Sequence, residues 1–234
     1  MSESSDEFVT DPWAWLREVD AEAAPDFAGF SVVAAVLPAS GDPDRCRAAV
    51  DAQDVVIDDV VTEVGPQTPG DWIWIVPDDS EPAPNALSTL LARVVQQPDA
   101  AVFGCLLIEP RRRGAGRLVS DWAQTISGNG RVRLLTEPGE LYQGQLPAGP
   151  VLGVPAAGML VRGDTWRFLG GFNERLPRNL WGLDFGWRAN LTGYVVIAEP
   201  EAQLTDHARF TDPADERAAG LALRLAHTRR PLRW

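Results

Sequence analysis

Cysteine is scarce in this chain of 234 residues, which carries only Cys46 and Cys105. So wide a sequence separation suggests neither a disulfide framework nor a thiolate zinc site, and both side chains are expected as buried thiols. Long apolar runs are absent as well: nothing approaches the roughly 20 consecutive apolar residues that a membrane-crossing helix needs. The opening MSESSDEFVTDP has neither the positive stretch nor the apolar stretch of a secretory leader, so a cytoplasmic location is expected. Basic residues are outnumbered, and the net charge of -12 argues against nucleic acid as a partner, because such binding draws its affinity from Lys and Arg on phosphates. The cations present are uneven, with Arg111, Arg112 and Arg113 in one cluster and Arg224, Arg229, Arg230 and Arg233 in the tail. A solvated surface explains them; a phosphate contact, a protein partner or the anionic inner face of the plasma membrane is left open.

What is present is enough for a core, with 45% hydrophobic and 23% charged residues. The expected organisation is a peripheral N-terminal segment over residues 1–28, with Trp13, Leu16 and Val19 at helical spacing, followed by one domain over residues 29–234. From residue 30 short β-rich runs alternate with helix-length segments: FSVVAAVLP, RCRAAVDAQ, DVVIDDVVTEV, DWIWIVPDD, ALSTLLARVVQQ and AAVFGCLLIEP. Continuous apolar runs bounded by turn residues suit strands buried on both faces, so the expected class is α/β with a mostly parallel central sheet. Residues 117–145 contain SGNG between two strand-like runs and predict a small antiparallel part. A short helix DTWRFLGGF, capped by Asp164 and closed at Gly170 and Gly171, and a final strand YVVIAEPEAQLTDH complete the pattern.

Asp78 and Asp79 stand where the apolar run DWIWIV ends. Strand ends of an open α/β sheet form the crevice where ligands bind, and adjacent carboxylates there suit a hard divalent cation shared with a diphosphate. The competing assignment is a helix N-terminus, with PDDSEPAP capping the helix ALSTLLARV. Farther on, Asp184 in LDFGWR could be a carboxylate of a helix start, and His207 beside Asp206 a surface histidine; singly these residues decide nothing.

Together the stretches resemble the family 2 nucleotide-sugar-dependent glycosyltransferases with the GT-A type of fold, and in particular an actinobacterial branch of them. The resemblance rests on DWIWIVPDDSEP, EPGELYQGQ, AAGMLVRGDTWRFLGGFN, GLDFGWRANLTGY and LTDH in that order, over roughly residues 71–210. It implies a DxD-like metal motif in which Asp79, with Asp78, holds Mn2+ or Mg2+ against the donor diphosphate. It makes His207 a second metal or diphosphate contact, and Ala157, Gly158 and Met159 the acceptor-side lining. Asp184 would lie in the loop that carries the base, with Trp187 and Arg188 beside the substrate. The partners so implied are a nucleotide-sugar donor and a cell-envelope glycan or glycolipid acceptor. The sequence departs from the family pattern in two places. Trp181 and Gly182 stand where acids usually precede LDFGWR, and no VDxGSxD-like turn separates Ser31 from Val76, leaving Asp58 or Asp59 as the candidates for ribose. Two functions are therefore expected: an inverting glycosyltransferase, or a catalytically impaired relative that binds a glycan or a partner.

Overall fold

The computed structural model describes residues 27–110, 116–127, 131–137 and 139–207. The expected N-terminal helix, the Arg111–Arg113 cluster, the tip of SGNG and the cationic tail lie outside the described residues.

Strands β1 (Val32–Leu37), β2 (Asp59–Val61), β3 (Trp72–Pro77), β4 (Ser80–Pro82), β5 (Ala100–Ile108), β10 (Leu160–Arg162) and β11 (Val195–Asp206) line up in the order β2-β1-β3-β10-β5-β11-β4. β1 is parallel to β2 and β3, and β5 is parallel to β11. β10 runs antiparallel between β3 and β5, and β4 antiparallel on β11. Two short strands, β6 (Val119–Asp121) and β9 (Gly149–Pro150), add to β5 and β11. The long strands all point one way, so their carboxyl ends gather along one edge of the sheet.

Alternation along these strands explains why their runs read as continuously apolar. Val32, Ala34, Val36, Trp72, Trp74 and Val76 pack on one face, against Cys46 and Val50 of α1 (Pro43–Asp51) and Leu87, Leu90 and Leu91 of α2 (Ala86–Gln96). Ala35, Ile73, Ile75 and Val102 pack on the other, against Trp166 of α3 (Gly163–Leu169) and Phe185 and Ala189 of α4 (Trp181–Leu191). Every residue of β1 and β5, and of β3 as far as Val76, is thus buried, the condition for an unbroken apolar strand.

Local signals are met in part. α1 begins with Asp42 accepting from the Arg45 N–H at 3.2 Å and Pro43 in its first turn, as its sequence favours. α3 closes at Gly170 (φ 77°) and Gly171 (φ 71°), but its N-cap is Arg162, and Asp164 sits inside the first turn. β7 (Gln124–Ile126) and β8 (Val132–Leu134) pair antiparallel on either side of SGNG. No described helix is long and apolar enough to cross a membrane.

Candidate active site

β3 delivers Asp78 and Asp79 to the sheet edge beside the end of β1, where Pro77 lies opposite Leu37. The two carboxylates then part company. Asp78 is buried, and its Oδ1 accepts from the Gly41 N–H at 2.8 Å, while its carbonyl accepts from the Asp42 N–H at 3.0 Å. Gly41 is held so close that a Cβ there would lie 2.1 Å from the Asp78 carbonyl oxygen and 2.4 Å from the Asp79 Cα. Asp78 therefore ties the loop after β1 to the end of β3. The alternative in which these residues cap α2 is excluded, because β4 intervenes and Asn85 is the N-cap.

Asp79 is half-buried, and its carbonyl accepts from the His207 N–H at 2.8 Å. Burial pushes its carboxyl above the ordinary range, and the charges of Asp206 and Asp78 push it further, against a backbone hydrogen bond and the guanidinium of Arg178. Below the turn Cys46 places its Sγ 3.5 Å from the Pro77 carbonyl, and burial, with Asp78 and Asp79 nearby, pushes its thiol up to about 11. That thiol stays protonated at neutral pH.

β11 brings Asp206 opposite Ser80, and the Ser120 hydroxyl donates to Asp206 Oδ2. His207 follows, with Nε2 at 3.2 Å from Glu81 Oε2, a carboxylate that also lies 3.7 Å from Arg45 Nε. Asp121, at the end of β6, faces the same group: burial first, then the charge of Asp206, raise its carboxyl to about 7, against hydrogen bonds from Gln124 and the Trp122 N–H. Its native value lies above the ordinary 3.8, so the native state holds this proton more tightly than the unfolded chain. The associated stability is complete below about pH 4 and is lost as pH rises to about 7. Thermal unfolding of wild type and Asp121→Asn across this range is expected to show the variant gaining on wild type up to about pH 7 and levelling off above. A difference that stays constant with pH would refute the assignment.

The segment 152–158 and α4 form the facing wall. Gly158 adopts φ 75°, its N–H donates to the Ile75 carbonyl at 2.8 Å, and its own carbonyl accepts from Trp74 Nε1 and Cys105 Sγ, each at 3.3 Å. A Cβ at this position would meet Cys105 Sγ and Leu204 Cδ1 at 2.9 Å. Gly158 and Met159 are buried, so they line nothing accessible, whereas Ala156 and Ala157 are half-buried. α4 lies with its backbone directly on this segment: Cβ atoms added at Gly182 and Gly186 would stand 2.1 Å from the Val154 oxygen and 2.6 Å from the Leu152 oxygen. Of the two positions where the family pattern has acids, that of Gly182 is therefore closed to any side chain, and Trp181 fills the other.

Asp184 does not lie in a loop. It sits in the first turn of α4, 1% exposed, with its Oδ2 2.8 Å from Arg188 Nε. Arg188 donates its remaining nitrogens to the carbonyls of Leu169 and Gly171, both at 2.8 Å, and stacks 5.2 Å above Phe185. These contacts lock α4 to the Gly170–Gly171 turn and engage all three Arg188 side-chain nitrogens with the protein. Phe185 is fully buried, 5.3 Å from Trp166, and half-buried Trp187 packs on Leu176, Leu180 and Leu183. The aromatic residues here are core.

Asp58 and Asp59 lie at the end of the sheet opposite to Asp79. Asp58 Oδ2 accepts from the Val32 N–H at 2.7 Å, and Asp59 pairs with Val33, at the start of β1. At about 3.3 Å per residue, they are roughly 13 Å from the edge that carries Asp79. The residues that follow β2 at the Asp79 edge are Thr62 and Glu63, both exposed. Sequence reasoning missed them, as it missed Gly41 and Arg178; only the direction of β2 identifies them.

No family model and no curated protein matches the chain. Among solved structures, GalNAc-T7 crystallised with UDP, GalNAc and Mn2+ superposes with a TM-score of 0.55 at 9% identity, over 78% of this chain and 45% of that one. The fold is GT-A-like. The chain thus spans less than half the length of that structure. Weaker overlaps exist with residues 1–349 of S. aureus TarS in complex with UDP (TM-score 0.48, 12% identity, 86% of this chain and 67% of that one). A mannosyltransferase from Pyrobaculum calidifontis in complex with GDP-Man and Mn2+ overlaps similarly (0.49, 14%, 94% and 70%). Within this GT-A-like fold the carboxylate edge has the donor chemistry for a divalent cation, because Asp79 and Asp206 are hard oxygen donors that repel each other. Among the described residues no group of three or more His, Cys, Asp or Glu forms a ready-made metal site. An ion that takes one or two protein carboxylates and completes its shell with phosphate oxygens and water fits such a set.

Proposed function

We propose that the chain is a nucleotide-sugar-dependent glycosyltransferase of the GT-A type, acting with Mn2+ or Mg2+ and transferring a sugar with inversion to a cell-envelope glycan or glycolipid. The observation that carries this reading is the half-buried carboxylate of Asp79 at the end of β3, within reach of the charges of Asp206 and Arg178, while Asp78 is tied to Gly41. Asp79 would hold the cation, with Asp206 or His207 as neighbouring donors. When bound, such an ion supplies charge neutralisation for the diphosphate leaving group. Thr62 and Glu63 are then the residues beside the nucleoside, and Ala156 and Ala157 offer the small surface that an acceptor needs for close approach. In an inverting displacement a carboxylate accepts the proton of the attacking hydroxyl.

A second reading, a catalytically impaired relative that binds donor or partner without transfer, is favoured by the closure around Gly182 and by the use of Asp184 in its pair with Arg188. Turnover separates the two. Incubation with a panel of UDP- and GDP-sugars and Mn2+ is expected to release nucleoside diphosphate, and Asp79→Ala is expected to reduce release by at least about 100-fold, the scale of one transition-state electrostatic contact. Release that persists unchanged in Asp79→Ala would remove the metal role from that residue. Binding without release would select the second reading.

A further inference from the structure

Arg178 is a residue to which neither the motifs nor the departures drew attention. It opens a single 3-10 turn, Arg178–Leu180, between Pro177 and α4. Its Nη1 donates to the Pro38 carbonyl, in the loop after β1, and its guanidinium lies 5.2 Å over the ring of Trp181. Trp181 is itself fixed, donating from Nε1 to the Leu176 carbonyl at 2.9 Å and stacking 4.9 Å from Phe172. The side chain therefore spans from the wall that carries α4 to the loop that Asp78 anchors through Gly41. It passes close enough to Asp79 to lower that carboxyl against burial and two neighbouring charges.

We propose that Arg178 is the cationic contact for the diphosphate of the nucleotide, exchanging its Pro38 partner for phosphate oxygens when donor enters. This rests on the reading that nucleoside diphosphate binds at Asp79. A diphosphate approaching this edge meets Asp78, Asp79 and Asp206, a group that repels it, while the nearby cation Arg45 lies against Glu81, and one divalent ion on Asp79 does not offset the three carboxylates. Arg178, reaching from the Trp181 ring to the Pro38 carbonyl, is the cation whose charge acts on Asp79. It is exposed, and a guanidinium presents five N–H donors in a planar fork suited to phosphate, of which a backbone carbonyl occupies one. Exchange of a neutral carbonyl acceptor for an anionic one strengthens the hydrogen bond that is made.

The test is calorimetric titration of UDP and GDP in the presence of Mn2+ into wild type, Arg178→Ala, Arg178→Lys and Asp79→Ala, with uridine and guanosine as controls. Arg178→Ala is expected to weaken UDP or GDP by about 10-fold or more, the size of a hydrogen bond to a charged group, and Arg178→Lys by less. Nucleoside binding and the melting temperature are expected to stay as in wild type. Titration of Mn2+ alone is expected to be as tight in Arg178→Ala as in wild type or tighter, because a cation near Asp79 has been removed; a merely structural role would weaken it. Wild type that binds diphosphate with metal, together with an unchanged Arg178→Ala, overturns the role of Arg178 and leaves the donor site standing. Wild type that binds neither nucleotide overturns both.

Discussion

Gly182→Asp is expected to destabilise the protein strongly rather than restore a base. The sequence invites this substitution, since acids precede LDFGWR in the family it resembles. A Cβ at residue 182 would nevertheless stand 2.1 Å from the Val154 oxygen, 2.6 Å from the Ala156 nitrogen and 2.7 Å from the Pro155 carbonyl carbon. These are backbone atoms, so no side-chain rotation relieves the overlap. Either α4 lifts from the segment 152–156 or that segment moves, and both carry core residues, Leu183 and Phe185 on one side and Val154 on the other. Overpacking in a core costs about 1–3 kcal/mol where side chains can adjust. Backbone against backbone is placed at or above the upper end of that range. Gly182→Ala is the sharper variant, because it adds one methyl and no charge. Chemical denaturation of both should show midpoints well below wild type, with Asp the lower. A Gly182→Asp protein as stable as wild type would mean that α4 does not rest on this segment as described.

Arg188→Met is expected to be the second large loss, about 3–5 kcal/mol, the range for removing one partner from a buried ion pair. Asp184 would be left 1% exposed without its 2.8 Å partner, and the carbonyls of Leu169 and Gly171 would lose their donors. The Gly170–Gly171 turn, in the left-handed region at both residues, would then be held to α4 by fewer bonds. Asp184→Asn is expected to cost less, and a cycle through the double variant should show coupling of more than about 1 kcal/mol, as for side chains in one network. Near-additive losses would show that the pair does not act as a unit. The same experiment bears on function: with LDFGWR as an architectural clamp, folded Arg188→Met keeps nucleotide affinity.

The parts of the fold that were legible are those whose signal is local. DWIWIV reads as a doubly covered strand because α1 and α2 lie on one face and α3 and α4 on the other, so no position needed to be polar. Gly170 and Gly171 mark a helix end because left-handed φ values favour glycine there. A strand was legible in VLGVPAAGMLV, but not its shortness or its antiparallel direction: the three residues of β10, LVR, are ordered by β3 and β5 on either side, far away in sequence. The site follows the same rule. That two carboxylates mark the end of β3 could be read from the sequence, but that Asp78 is a tie depends on Gly41, 37 residues earlier. Asp58 and Asp59 were candidates until the direction of β2 placed them at the opposite edge. Met159, Trp187 and Arg188 keep the motif pattern of a substrate wall, yet Met159 is wholly buried, Trp187 half-buried against its own core cluster, and all three Arg188 side-chain nitrogens engage the protein, since motif order carries no information on which side of a packed segment a residue faces.

The central claim is that Asp79 marks a metal-dependent donor site, and calorimetry of UDP and GDP with and without Mn2+ on wild type and Asp79→Ala tests it most directly. Binding that requires Mn2+ and disappears in a folded Asp79→Ala is the predicted result. Nucleotide binding indifferent to both metal and substitution, or no binding by folded wild type, would contradict it.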